Sequence, residues 1–206
     1  MTSTPDSGAA DVFAALPQLD ARAQTRLSAR LAVAAAQAGI LDVAYRTLDT
    51  PLGRLMLAAT ETGLVRVAYT SEDHDAVLEQ LADTISPRVL RAPARLDAAA
   101  REVEEYFAGQ RTTFDLPLDL RLAVGFRRTV LTLLPTIGYG TTASYAAIAA
   151  AAGNPKAVRA VGTACARNPL PIVVPCHRVV RSDGTLGQYV GGPGAKQTLI
   201  TLEAAA

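Results

Sequence analysis

The sequence predicts an α+β fold, in which a small N-terminal domain of antiparallel sheet and helices precedes a mainly helical C-terminal domain with a helix-turn-helix and an active-site loop. Three runs of alternating apolar or β-branched residues follow one another in the first half of the chain. Helix-period apolar patterns predominate from Gly125 onward. A chain of 206 residues, 50% of them hydrophobic, has the length to bury one core, or one core plus a small partner domain.

The chain is divided by these patterns into an N-terminal extension (1–40), an α+β domain (41–117) and a C-terminal domain (118–206). The extension starts with a polar tail of eleven residues and continues as an alanine-rich helix, 19–39, closed by a glycine. No chemistry is assigned to it.

Three segments of the α+β domain have the pattern of antiparallel strands and are separated by turn residues. They lie at 41–48, 53–59 and 64–69. Helix-period segments follow at 73–85 and 96–107. On the second of these helices, Glu102, Glu104 and Glu105 are expected to form a solvent-exposed face.

The C-terminal domain is predicted from helical periodicity and turn residues. Helices are expected at 126–134, 142–152, 155–166 and 193–204. Gly153 ends the second helix, and Asn154-Pro155 suits the N-cap and first position of the third. Two helices joined by so tight a turn, the second one basic, indicate a helix-turn-helix. Short antiparallel helix pairs are also common elsewhere, so the spacing alone does not establish it.

Charge is distributed unevenly along the chain, although the net charge is only +1. Residues 1–120 carry 11 basic and 17 acidic residues, a sum of −6. Residues 120–182 contain no acidic residue and eight basic ones, namely Arg121, Arg127, Arg128, Lys156, Arg159, Arg167, Arg178 and Arg181. The second segment is therefore suited to face phosphate.

Composition excludes several classes of protein. No apolar run approaches the roughly 18 residues of a membrane span, and the N-terminus lacks the pattern of a signal peptide. We therefore expect a cytoplasmic protein without a membrane partner. Two cysteines and two distant histidines offer neither a disulfide framework nor a zinc-binding spacing, so no metal or cofactor is expected. A monomer is expected for want of an interface signal.

Cys176 is the candidate nucleophile. A thiol reacts as the thiolate, which needs a positive charge or a proton acceptor nearby, and His177 and Arg178 are adjacent. The preceding proline-rich stretch is expected to be buried extended backbone, on which neighbouring side chains point to opposite faces. His177 would then act through a water or a bend of the chain. A carboxylate usually orients such an imidazole, and Asp183 and Glu203 are the candidates.

The same residues also fit non-catalytic interpretations. In the alternative interpretation Cys176 is a buried small hydrophobe and His177 a hydrogen-bonded core residue. Cys165, mid-helix among alanines, is interpreted as a buried small hydrophobe. His74, between two aspartates, is expected to be solvated. Arg159 stands among small residues that let a helix approach a surface closely, so that it could protrude into a groove; a solvated basic face is the alternative.

The segment Pro175-Cys176-His177-Arg178, with Asn168-Pro169 before it and Val179-Val180 after it, closely resembles the O6-alkylguanine-DNA alkyltransferases, also called methylated-DNA-protein-cysteine methyltransferases. The match runs from Tyr145 to Glu203 without an insertion. It includes Gly153-Asn154-Pro155-Lys156, Arg159-Ala160-Val161-Gly162, Gly187-Gln188-Tyr189-Val190-Gly191-Gly192 and Lys196. The resemblance is strong over 125–204 and loose over 41–117.

This resemblance implies direct-reversal DNA repair by base flipping. The helix-turn-helix would bind double-stranded DNA through the minor groove, and O6-alkylguanine, with O4-alkylthymine as a second candidate, would be rotated into a pocket. The alkyl group would pass to Cys176 in a single displacement. Because the thioether product has no leaving group, each protein would act once.

The resemblance also implies a role for each matching residue. His177 and Glu203 would form a water-bridged relay that keeps the Cys176 thiol deprotonated, Asn168 would brace the turn before it, and Arg159 would fill the space left by the flipped base. The implied catalytic residues are Cys176, His177, Glu203, Tyr145 and Asn168. The implied substrate-binding residues are Tyr145, Val179, Tyr189, Val190 and Gly191. The implied DNA-binding residues are Arg159, Ala160, Gly162, Lys156 and Ser182.

Two other functions remain open at the level of sequence. A lesion sensor would keep the fold but lack the cysteine, so Cys176 argues against it. A Cys-His hydrolase or thiol transferase acting on a small molecule is the other alternative. The lack of acidic residues between Leu120 and Ser182 favours a polyanionic partner instead.

Overall fold

The computed structural model describes residues 20–205 of the chain. It consists of a four-stranded sheet with flanking helices followed by a mainly helical part, so the predicted α+β fold is confirmed. The expected polar tail and Leu19 lie outside the described residues. The domain limits at 40/41 and 117/118 stay predictions.

The helix of the extension, α1, spans Ala21–Gln37. It begins at Asp20, whose side chain accepts a hydrogen bond from the Arg22 amide at 3.0 Å, and Gly39 follows it with a left-handed φ of 67°. Ala32 and Ala35 are buried against the rest of the protein, so α1 packs through its small residues.

The sheet has the order β3-β2-β1-β4. Strands β1 (Val43–Thr50), β2 (Gly53–Ala59) and β3 (Leu64–Tyr69) form the predicted antiparallel meander, with β1 two residues later than expected. A fourth strand, β4 (Val89–Arg91), pairs with β1 in parallel and was not predicted. The three predicted antiparallel strands are therefore joined by a fourth, parallel strand, whose three residues are too few to show an alternating pattern.

The two faces of the sheet bury different sets of side chains. Helix α2 (His74–Thr84) begins at the N-cap Asp73 and covers one face with Val77 and Leu81. Helix α3 (Asp97–Phe107) belongs to the core on the other face, which continues without a break into the C-terminal helices. The sheet therefore supports the C-terminal part directly.

Two expectations for exposed side chains are wrong. Glu102 is buried, because its carboxylate accepts a hydrogen bond from the Asp115 amide at 2.9 Å and lies 3.3 Å from a guanidinium nitrogen of Arg111. Glu104 is exposed as expected. His74 is half-buried at the start of α2, and its Nε2 atom is shielded from solvent.

The connection between the two parts runs along the edge of β3. The Leu64 amide donates to the Pro117 carbonyl and the Asp119 amide donates to the Leu64 carbonyl, both at 2.8 Å. Gly63 allows this approach, since a Cβ atom there would lie 2.2 Å from the Pro117 oxygen. Asp119 is buried and accepts a hydrogen bond from Thr60, which fixes the connection to the sheet.

The C-terminal part contains the four predicted helices, with shifted ends. These are α4 (Gly125–Leu133), α5 (Tyr145–Ala151), α6 (Val158–Ala166) and α7 (Gly192–Ala204). Helix α6 starts three residues later than predicted, because Pro155 and Lys156 form a turn closed by the Ala157 amide on the Asn154 carbonyl. Gly153, with φ 77°, ends α5 as expected, so α5 and α6 form the tight helix pair.

Short strands β5 (Ala143–Ser144) and β6 (Val179–Val180) pair in parallel and were not predicted. The expected extended backbone before the Cys-His pair is also wrong. Residues 168–180 are all buried, but 168–178 form successive turns and bends that end in a 3-10 turn, Cys176–Arg178. Ile172 has a φ of 73°, which is rare for a β-branched residue.

None of the helices in residues 20–205 combines the length and the apolar character that a membrane crossing needs.

Candidate active site

Cys176 begins the 3-10 turn and is completely buried. The side-chain amide of Asn168, itself buried, donates to the Cys176 sulfur at 3.1 Å and to the Val174 carbonyl at 2.8 Å. Its oxygen accepts a hydrogen bond from the Leu170 amide at 3.0 Å. Asn168 therefore holds both the thiol and the turns that lead to it.

The carboxylate of Glu203, near the end of α7, forms hydrogen bonds with several polar groups near Cys176. Glu203 is only 3% exposed. Its Oε1 atom lies 2.8 Å from Nε2 of His177 and accepts hydrogen bonds from the Tyr106 hydroxyl at 2.7 Å and from Nη2 of Arg178 at 2.9 Å. Its Oε2 atom accepts from Nε of Arg178 at 2.8 Å and from the Gly140 amide at 3.2 Å.

Burial and these contacts together set the protonation states of Glu203 and His177. Burial raises the pKa of Glu203, but hydrogen bonds from His177 and Arg178 outweigh it and lower the pKa from its usual 4.5 to about 2. Burial lowers the pKa of His177 against the opposing effect of Glu203. At neutral pH His177 is therefore neutral and donates its single N–H from Nε2 to ionised Glu203. Its Nδ1 lone pair is buried, without a hydrogen-bond partner among the described residues.

The Cys176 thiol is protonated in this structure at neutral pH. Burial raises its pKa to about 11. The Asn168 amide and the Lys196 charge lower the pKa, but by less than burial raises it. Burial therefore favours the thiol form before a base is bound, and the relay expected from the resemblance stays a prediction. The 3-10 turn replaces the extended backbone expected at Cys176, and Glu203 contacts His177 directly.

Glu203, and not Asp183, is the carboxylate that orients the imidazole. Asp183 is exposed and accepts hydrogen bonds from the amide and hydroxyl of Thr185 at 2.9 and 2.7 Å. Cys165 lies fully buried in α6, as expected, and both cysteines are free. Within residues 20–205 no group of three or more His, Cys, Asp or Glu residues is arranged to hold a metal ion.

Tyr145, Val179 and Lys196 meet beside the thiol. The Lys196 ammonium is buried, donates to the Val179 carbonyl at 2.5 Å and lies 3.4 Å from the Tyr145 hydroxyl. Burial raises the pKa of Tyr145 to about 12 and lowers that of Lys196. A Cβ atom at Gly187, in the glycine-rich loop (184–194), would lie 2.1 Å from the Tyr145 hydroxyl, so this loop packs closely on the tyrosine.

The loop also brings Tyr189 to the site. Tyr189 is buried, and its ring meets that of His177 edge to face at 6.3 Å. Val190 and Gly191 follow it and are half-buried. Of the predicted substrate-binding residues, Tyr145, Val179 and Tyr189 therefore lie close to the Cys176 turn.

The proposed DNA-binding residues lie at the surface. Arg159 and Ala160 are exposed on the first turn of α6, Gly162 is half-buried one turn later, and Lys156 and Ser182 are exposed in turns. Arg178, in contrast, is buried in its ion pair with Glu203. One of the eight basic residues of the 120–182 segment therefore stabilises the site and does not face solvent.

Two residues of the site were missed by the sequence analysis. Tyr106, in α3, donates to Glu203, and Tyr69, at the end of β3, contacts the hydroxyl of Tyr189. An apolar stripe at Ala99, Val103 and Tyr106 could have indicated that Tyr106 faces inward. Nothing in the pattern of β3 distinguishes Tyr69.

Fold and site together define a protein whose buried Cys-His-Glu group lies beside a helix-turn-helix. A family model described as 6-O-methylguanine DNA methyltransferase, DNA binding domain, matches residues 125–205. A second, described as 6-O-methylguanine DNA methyltransferase, ribonuclease-like domain, matches residues 43–120. The chain belongs to the methylated-DNA–protein-cysteine methyltransferase family, as its relatives also show.

Two of those relatives carry the name methylated-DNA–protein-cysteine methyltransferase. The one from Mycolicibacterium paratuberculosis is 42% identical over 167 residues, which cover 78% of this chain and 92% of the relative. The constitutive one from Bacillus subtilis is 43% identical over 147 residues, covering 71% of this chain and 86% of the relative.

Solved structures of the same family have the same fold. The crystal structure of Mycobacterium tuberculosis O6-methylguanine methyltransferase matches with a TM-score of 0.70 and 38% identity, covering 79% of this chain and 93% of the other. That of Mycobacterium tuberculosis OGT in complex with DNA matches with a TM-score of 0.67 and 39% identity over the same shares.

We expect Glu203→Gln to destabilise the protein by about 3–5 kcal/mol, because it leaves the buried Arg178 guanidinium without a countercharge. Urea unfolding at pH 7 measures the loss, with Glu104→Gln, an exposed change on α3, as the control. Since the pKa of Glu203 is depressed, its contribution to wild-type stability is present above its usual pKa of 4.5 and disappears as the pH falls toward about 2. Equal stability of the two variants would contradict the central role of this carboxylate.

Proposed function

We propose that the protein repairs DNA by moving an alkyl group from O6 of an alkylated guanine to the sulfur of Cys176. The observation that carries the proposal is the buried thiol next to a neutral histidine, whose Nε2–H is held by an ionised glutamate and whose Nδ1 is free. A polar group with this orientation can accept a proton at the moment of reaction.

The chemistry follows from the resting protonation states. As the S–C bond forms, the thiol proton passes to Nδ1 of His177, directly or through a water, and the C–O6 bond breaks with its electron pair leaving on guanine. Guanine becomes neutral by gaining a proton at N1, which balances the proton that Cys176 loses. The imidazolium that forms in between is stabilised by Glu203. The reaction needs no cofactor.

The product explains why each molecule would act once. The alkyl group ends as a thioether on Cys176, and a thioether has no leaving group that water can displace. Neither His177 nor Glu203 has chemistry that could reverse the transfer. We therefore expect one alkyl group per chain at saturation.

The alkylated base would bind where Tyr145, Val179, Tyr189, Val190 and Gly191 meet. Because Cys176 has no exposed surface, the residues around it must shift before a base can enter. Tyr145 has a neutral hydroxyl available to the base, and the Lys196 ammonium leaves the Val179 carbonyl one lone pair for the amino group of guanine. Asn168 would hold the sulfur in place during attack.

Damaged double-stranded DNA would be bound from the minor-groove side by α6. Arg159 and Ala160 lie at its exposed start, and the small residues there permit close approach of the backbone to DNA. In this proposal Arg159 occupies the gap left by the rotated nucleotide, while Lys156 and Ser182 contact phosphates. We propose that the protein acts as a monomer, because one α6 and one thiol suffice for one lesion. We also propose that it acts in the cytoplasm.

Transfer to Cys176 is tested by intact-protein mass spectrometry after incubation with a duplex that contains O6-methylguanine. We expect the wild-type chain and Cys165→Ala to gain the mass of one CH2 unit, saturating at one per chain and mapping to Cys176. Cys176→Ser should gain none while still binding the duplex. Methylation of Cys176→Ser, or a wild-type chain that binds the lesion without gaining mass, would refute the proposal.

The role of Arg159 is tested by comparing two substrates. Because the arginine would act on the base stack alone, Arg159→Ala should slow transfer from duplex DNA by about 10- to 100-fold, as expected from an unstacking cost of a few kcal/mol. Transfer from free O6-benzylguanine should be unchanged. Arg128→Ala, an exposed arginine on α4, controls for general loss of charge. An equal loss on both substrates would contradict the proposed role.

A further inference from the structure

Tyr69 connects the N-terminal sheet to the candidate base pocket. Its hydroxyl lies 2.9 Å from the hydroxyl of Tyr189, and the two rings meet edge to face at 6.0 Å. Both side chains are buried, at 3% and 7% exposure. A hydrogen bond between two buried hydroxyls is costly to lose. Each hydroxyl is then left without a partner, and water cannot reach it to take the partner's place.

Tyr69 is held firmly from the sheet side. Its amide donates to the Glu72 carboxylate at 2.9 Å, and that carboxylate is also paired with Arg66. Its backbone is registered opposite Leu55 of β2. The tyrosine that contacts the loop is therefore fixed by strand pairing and by an ion pair.

The loop is fitted closely to the Tyr69 ring. A Cβ atom at Gly191 would lie 2.7 Å from two ring carbons of Tyr69, closer than side-chain contacts allow. Only glycine can stand there while the ring keeps its position. Tyr69 thus contacts the loop at two places, through its ring at Gly191 and through its hydroxyl at Tyr189.

Tyr189 connects Tyr69 to the reacting residues. Its ring meets both the Tyr69 ring and the His177 ring edge to face, at 6.0 and 6.3 Å between centroids. A Tyr189 ring held inward in this way narrows the space beside Cys176. If its hydroxyl had no partner, the ring could move outward and widen that space.

We propose that Tyr69 is a positioning residue that determines specificity: it holds Tyr189 inward and so limits the size of the alkyl group that can reach Cys176. This inference rests on the proposed function, since it concerns the pocket for the alkylated base. It places part of the control over lesion choice in the N-terminal sheet, outside the segment that carries the thiol and the helix-turn-helix.

The test is the ratio of two transfer rates, for duplexes that contain O6-benzylguanine and O6-methylguanine. In Tyr69→Phe the ring stays and the hydroxyl is removed, so the benzyl-to-methyl ratio should rise about fivefold, the factor expected from one neutral hydrogen bond. Tyr189→Phe removes the same bond from the other side and should raise the ratio similarly. The double variant should show no further rise, because only one bond is lost.

Tyr45→Phe is the matched control, because Tyr45 lies in β1 of the same sheet and packs on its opposite face. It should leave both rates unchanged. An unchanged ratio in Tyr69→Phe, an equal fall of both rates, or additive effects in the double variant would overturn the proposal. Failure of the wild-type chain to transfer either group would instead refute the proposed function, and that outcome is visible before any variant is made.

Discussion

The buried carboxylate of Glu203 is the group on which the arrangement of the site depends. It accepts hydrogen bonds from His177, Arg178, Tyr106 and Gly140, which belong to segments far apart in the chain. A buried charge is tolerated only when it is paired and hydrogen-bonded, so these segments must be assembled around it. Through Tyr106 this requirement extends to the sheet part, and the two parts of the molecule share one polar centre as well as one apolar core.

The same centre explains how a thiol that would be used once can be kept unreacted. With a pKa of about 11, Cys176 is a protonated, shielded thiol and a poor nucleophile toward small electrophiles. The acceptor for its proton, Nδ1 of His177, is already oriented by Glu203 but buried. We infer that the arrival of the base, rather than the resting charge of the protein, starts the reaction.

Local features of the fold could be predicted from sequence, because periodicity and turn residues act over a few positions. The three meander strands, the helices and the glycine that ends α5 are examples. The edge strand β4 was too short to show a pattern. The burial of Glu102 depends on a hydrogen bond from the amide of a residue 13 positions away, which the local pattern does not show. In the site, Cys176 and His177 could be predicted as candidate reactive residues from their sequence neighbours. Tyr69 could not, because its contact is with a residue 120 positions away and its own strand carries no local signal. The thiol's protonation state depends on burial, which composition does not reveal.

The most direct test of the account is the tautomer of His177, observed by NMR on protein with ¹⁵N-labelled histidine. The chain has only two histidines, so the His74→Gln variant assigns the signals. We predict a neutral ring protonated at Nε2 and unprotonated at Nδ1 at pH 7, persisting below the usual histidine pKa of 6.5 because burial lowers the pKa of His177. An imidazolium at pH 7, or a proton on Nδ1, would contradict the claim that Glu203 sets up His177 as the proton acceptor.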